Sequence, residues 1–128
     1  MYPGGEVIGV GIDAVDVERF RRVLGRRPRF AERVFTAAER AEAAGRRDPV
    51  PGLAARFAAK EAVMKSLSVG LGAFDFVDVE VVRGDGGAPA LSVTGRAATL
   101  AGERSVAGWH ISLTHTASVA MAVAVAYR

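Results

Sequence analysis

The chain reads as an α+β domain: an antiparallel sheet, one long packed helix and several shorter helices. Three observations carry that reading. Residues 52–67 (GLAARFAAKEAVMKSL) are dense in strong helix formers. Residues 76–93 hold two short runs of strand character around Gly84-Asp85-Gly86-Gly87, a hairpin signal. Residues 109–113 and 119–127 form a second such pair. No internal repeat, linker or low-complexity segment interrupts the 128 residues, so one domain is expected over residues 1–128.

In order along the chain, Glu6 to Val15 has the short length and β-branched residues of a strand, with Asp13 near its end. A helix is expected from about Val15 to Leu24, with Asp16 or Ala14 near its start and Gly25 as its stop. Pro28 breaks the chain, and a short turn follows over Ala31 to Val34. Thr36 to Ala44 is a helix with a capping box, Thr36 at the cap and Glu39 three residues on, ended by Gly45. GRRDPVPG is a loop, and the long helix runs from Gly52 to Leu67. Ser68 to Gly72 is a glycine-rich exit. Phe76 to Arg83 is a strand, Pro89 to Val93 its return, and Thr94 to Gly102 a short helix. Trp109 to Leu113 and Val119 to Tyr127 close the chain as a hairpin.

The last strand is unusual. Val119, Met121, Val123, Val125 and Tyr127 fall on one face, and Ala120, Ala122, Ala124 and Ala126 on the other. A strand apolar on both faces is covered on both. In so short a chain, a helix covers one face and another subunit the other.

Composition excludes several function classes. There is no cysteine, hence no disulfide framework, thiol nucleophile or cysteine-ligated metal site. Two histidines are too few for a histidine-rich metal cage. The amino-terminal segment lacks the pattern of a secretory leader, and the most apolar stretch is too short for a membrane span of about 20 residues. A cytoplasmic protein with no membrane partner is expected.

The net charge is only +3, but the window from Arg19 to Arg33 carries seven arginines and one acid, or +6. Such a face is either solvated or seeks an anionic partner. A nucleic-acid module would place aromatic platforms among the arginines, and only Phe20 and Phe30 lie there, so nucleic acid is not expected. Of 17 basic residues only Lys60 and Lys65 are lysines, and they bracket Glu61. Lysine can give up its proton where arginine cannot.

Phe57, Glu61 and Lys65 share one face of the long helix, with Arg56 and Lys60 in an adjacent row. Glu61 and Lys65 are compatible with a surface ion pair. They are equally compatible with a phosphate site, given the glycine-rich SVGLG that follows, where Gly70 and Gly72 allow close approach. Asp13, at the end of an apolar strand, is costly unless it is paired, caps the next helix or binds a metal. If Asp13 and Glu61 converge, two carboxylates with open positions suit Mg²⁺. In HISLTHT, alternation puts His110, Ser112 and Thr114 on one face, with His115 at the strand end.

Three segments together, GVGIDAVDVERF, RFAAKEAVMKSL and HISLTHT, resemble the holo-acyl-carrier-protein synthases, the small phosphopantetheinyl transferases. The resemblance runs from about Val7 to Val125 and includes RRPRFAER between the first two motifs. It implies transfer of the phosphopantetheine arm of coenzyme A to a serine of apo acyl carrier protein, leaving 3′,5′-ADP. It further implies a role in fatty-acid or polyketide synthesis and a homotrimer with active sites between subunits. On the matching positions, Asp13 and Glu61 would bind Mg²⁺ and Lys65 would contact the phosphate. Either Glu61 or a metal-bound water would take the serine proton. Arg56 and His115 would line the coenzyme A pocket, with Ser112 and Thr116 nearby and Lys60 as a further motif position. Arg19, Arg26, Arg29 and Arg33, with Val23 between them, would dock the acidic carrier protein. The exit loop begins Ser68-Val69, where many relatives have glycine and threonine.

Overall fold

The computed structural model describes residues 5–128. Residues 1–4, where the segment read as leaderless begins, lie outside the described residues. The elements are β1 (Val7–Asp16), α1 (Val17–Arg26), α2 (Phe30–Val34), α3 (Ala37–Ala44), α4 (Val50–Ser66), β2 (Val79–Arg83), β3 (Pro89–Val93), α5 (Gly95–Glu103), β4 (Gly108–His115) and β5 (Val119–Tyr127). β1, β5 and β4 form an antiparallel sheet in that order, and β2 and β3 form a separate two-stranded ribbon.

α4 is the centre of the molecule. Ala54, Ala58, Ala59, Ala62 and Val63 are all fully buried, and the helix packs across β1 and β5. One core joins α4 to Phe74, Val79, Val81 and Leu100; a second joins its first half to Val17, Phe20, Val34 and Phe35. The sheet meets α4 through small residues. The alanines of β5 face the helix and are buried. The opposite face is exposed: Val10 is 59% and Ile12 58% accessible, with Val119 and Met121 beside them on β5. Among the described residues, therefore, β5 is fully covered on the alanine face alone.

Several boundaries differ from the sequence expectation. α1 runs through Gly25 to Arg26, closing where the Arg27 amide donates to the Val23 carbonyl. A glycine in a helix costs about 1 kcal/mol relative to alanine, too little to end a helix anchored by buried Val17 and Phe20. α4 starts at Val50, with Pro51 in its first turn, where the missing amide hydrogen has no intrahelical partner to lose. The Asp48 carboxylate accepts from the Val50 amide just ahead of it. Phe76–Asp78 is a 3₁₀ turn, and pairing begins only at Val79. The Asp78 carboxylate there accepts from the Ala97 amide in the first turn of α5. Finally, β4 extends beyond Leu113 to His115.

Candidate active site

The site starts from two glycines. Gly9 and Gly11 let β1 lie directly on the backbone of α4. A Cβ on Gly9 would stand 2.0 Å from the Ser66 carbonyl oxygen, and one on Gly11 1.8 Å from that of Ala62. This contact carries Asp13, two residues on, to the Glu61–Lys65 face of the helix. The Lys65 ammonium donates to the Ile12 carbonyl at 2.8 Å and to the Asp13 carboxylate at 3.1 Å. Glu61 is held above the usual carboxylate range, first by burial and then by the negative charge of Asp13, with Lys65 opposing both. Two carboxylates and an ammonium thus converge where the strand crosses the helix.

Asp13 is not a helix cap. Asp16 takes that role, accepting from the Arg19 amide at 2.8 Å. Asp13 and Glu61 instead border a cavity whose apolar wall is Phe20, Val23, Phe30 and Phe57, with Arg19 at its edge. The aromatic rings pack on one another, Phe57 lying 5.3 Å from both Phe20 and Phe76 between ring centres. Arg26, Arg29 and Arg33 are exposed along α1 and α2. Arg21 is engaged, gripping Asp48 with both terminal nitrogens while its Nε meets Glu18. It was not among the expected docking residues.

Arg56 and His115 border a second cavity of about 320 Å³, on the neighbouring side of α4. Arg46 and Arg83 line it too, so four basic side chains surround one space. Arg56 donates to the Gly52 carbonyl, and among the described residues its buried Nε meets no hydrogen-bond partner. Arg83 pairs with Glu42 at 2.8 Å. Sequence reasoning missed Arg46 and Arg83. The doubled Arg46-Arg47 ahead of Asp48-Pro49 was a usable signal, whereas nothing local marks Arg83.

The remaining expected residues fall elsewhere. Gly70 and Gly72 lie in the exposed loop after α4 with open space around them, and Gly72 has φ +90°. Ser112 is exposed on the outer face of β4. Thr116 organises the β4–β5 turn, its hydroxyl accepting from the Val119 amide. None of these four borders either cavity. Lys60 is corrected outright. It is fully buried, and its ammonium donates to Glu39, to the Phe76 carbonyl and to the Val79 carbonyl. An ammonium has three donors and all three are used, so none is left for a ligand.

Paired carboxylates beside a space walled by four basic side chains define a class of protein that handles a polyanionic, phosphate-bearing ligand. The model of the 4′-phosphopantetheinyl transferase superfamily matches residues 9–124. The chain belongs to that family. It is 50% identical over 120 residues to a holo-[acyl-carrier-protein] synthase of Frankia casuarinae, covering 94% of this chain and 97% of the relative. The crystal structure of the Neisseria meningitidis holo-[acyl-carrier-protein] synthase superposes with a TM-score of 0.87 at 28% identity, covering 96% of this chain and all of that one. A Bacillus anthracis synthase in complex with CoA (3′,5′-ADP) superposes with a TM-score of 0.78 at 31% identity, covering 94% and 96% of the two chains.

Proposed function

We propose that this chain transfers the 4′-phosphopantetheine arm of coenzyme A to a serine hydroxyl of an apo acyl carrier protein. The serine oxygen forms a bond to the pantetheine-side phosphorus of the pyrophosphate. The bond from that phosphorus to the bridging oxygen breaks, the serine proton leaves, and 3′,5′-ADP departs. The convergence of Asp13, Glu61 and Lys65 at the β1–α4 crossing carries this reading. The named relatives and the coenzyme A-bound neighbour support it.

Asp13 and Glu61 fit Mg²⁺. They are hard oxygen donors, and the charge of Asp13 already disfavours ionised Glu61, a repulsion that a divalent cation relieves. Bound there, the ion would neutralise charge on the pyrophosphate oxygens. Lys65, half-exposed beside them, offers its ammonium to the phosphate and to the leaving oxygen. Glu61 also offers a carboxylate within the site to receive the proton lost by serine.

Arg46, Arg56, Arg83 and His115 would hold phosphate groups of coenzyme A. Arg19, Arg26, Arg29 and Arg33 would meet the acidic carrier protein around Val23. In one chain the carboxylates and the basic cavity are separate spaces. The exposed apolar face of β1 and β5 supports assembly with further copies of the chain; the family resemblance makes that assembly a homotrimer with active sites between protomers. The whole chain acts as one domain, in the cytoplasm, on carrier proteins of fatty-acid or polyketide synthesis.

The test is intact mass spectrometry of an apo acyl carrier protein incubated with the chain, coenzyme A and Mg²⁺, with an EDTA control. A gain of one phosphopantetheine, lost with chelator, supports the reaction and its metal. No gain with several carrier proteins overturns the transfer reading.

A further inference from the structure

Lys60 stands in the middle of the helix that carries the site, yet touches neither cavity. What it holds is the β2–β3 ribbon. Its ammonium is 2.8 Å from Glu39 Oε1, and both side chains are completely buried. Glu39 Oε1 also accepts from the Thr36 amide, and Oε2 accepts from the Val81 amide at 2.9 Å. Lys60 takes the Val79 carbonyl. In an antiparallel ribbon the N–H and C=O of alternate residues point to the same side. The Val79 carbonyl and Val81 amide therefore belong to the edge of β2 turned away from β3. The ion pair serves this edge as a neighbouring strand would, bonding one carbonyl and one amide of it. A second tie runs beside it, the Thr36 hydroxyl donating to Glu80.

The ribbon held in this way is a wall of the basic cavity. Val81, Val82 and Arg83 of β2 and Pro89 of β3 line it, facing Arg56 on α4. Arg56 lies one turn before Lys60 on the same helix face. The distance between the α4 wall and the ribbon wall is thus set through Lys60 and Glu39. We propose that Lys60 and Glu39 are positioning residues that fix the width of the cavity between Arg56 and Arg83, and so the affinity for coenzyme A. This rests on the transferase reading above.

A buried pair is a vulnerable way to join two elements, because removing one partner leaves the other uncompensated. An apolar pair of similar volume would fill the same space, but could not bond the Val79 carbonyl or the Val81 amide. That difference separates positioning from mere stability.

The test uses the full chain carrying Glu39→Gln and, in a second protein, Glu39→Leu with Lys60→Met. The apolar double variant keeps the site filled, so it remains informative if Glu39→Gln fails to fold. Coenzyme A affinity is measured by calorimetry, and kcat and both KM values by turnover. Amide exchange of residues 79–93 reports the ribbon directly. The expected result is faster exchange at Val81 and a rise in Kd and KM for coenzyme A on the order of tenfold. The kcat and the carrier-protein KM should stay within about twofold of the parent, the signature of lost uniform binding. Unchanged coenzyme A affinity in a folded variant overturns the proposal, as does an equal loss in all three kinetic parameters. A parent chain that neither binds nor consumes coenzyme A overturns the transferase reading and this proposal with it. A parent active beside an unaltered variant overturns the proposal alone.

Discussion

The carbonyl oxygen of Ala62 stands 1.8 Å from where a Cβ on Gly11 would be. Strand and helix are in backbone contact there, and the contact places Asp13 of the strand against Lys65 of the helix. Gly11→Ala should therefore act twice. The obstructing atom is main chain, so β1 must lift from α4, at a cost of about 1–3 kcal/mol. Turnover per folded molecule should also fall, because the carboxylates separate. Thermal melts beside kcat on the soluble protein check this; a lower Tm with unchanged kcat would divorce the close approach from the chemistry.

Asp13→Ala and Glu61→Ala should each abolish Mg²⁺-dependent transfer while the chain stays folded, as read by circular dichroism and mass spectrometry. Near-normal turnover in either removes the metal assignment.

Glu61→Gln should make the metal-free protein more stable at neutral pH. Burial and Asp13 raise Glu61 above its ordinary 4.5, so its folded form prefers the proton. Its contribution to stability is fully present below the unfolded value and is lost as pH rises through the folded one. The gain from glutamine should accordingly appear near pH 7 and vanish at acid pH, about 4. Melting curves in EDTA across that range decide it; a gain of equal size at both ends would point to packing and not to charge.

Lys65→Met should lower kcat on the order of a hundredfold, the scale of losing one donor to a developing anion. The carrier-protein KM should hardly move. A change confined to that KM would place Lys65 at the docking surface.

Arg19→Glu and Arg26→Glu should raise the carrier-protein KM and flatten its dependence on salt, since exposed charge pairs are screened over about 8–10 Å. Arg21→Glu should flatten it less, because Arg21 is already bonded to Asp48 and Glu18. Equal salt slopes in all three would move the docking surface elsewhere.

Much of this was legible in order along the chain. The capping box at Thr36 and Glu39, the two hairpins, the alanine face of β5 and the helix carrying Glu61 depend on neighbours within a few residues. The convergence of Asp13 and Glu61 was conditional in the sequence; in the fold the Gly9–Gly11 contact brings both to the border of one cavity. The errors at Gly25 and Pro51 arise because propensities of about 1 kcal/mol yield to burial and to position in the first turn.

Lys60 marks the boundary. Sequence by itself determined that it lies on the long helix, one turn from Arg56 and next to Glu61. It left Lys60 as a further motif position for the ligand, behind Lys65. Only the tertiary structure decided otherwise, by bringing Glu39, 21 residues away, and the backbone of β2 onto its ammonium. Helical periodicity determines which residues share a face. What that face meets depends on contacts distant in sequence, and those contacts decide whether a charge is sealed inside the fold or left open to a ligand.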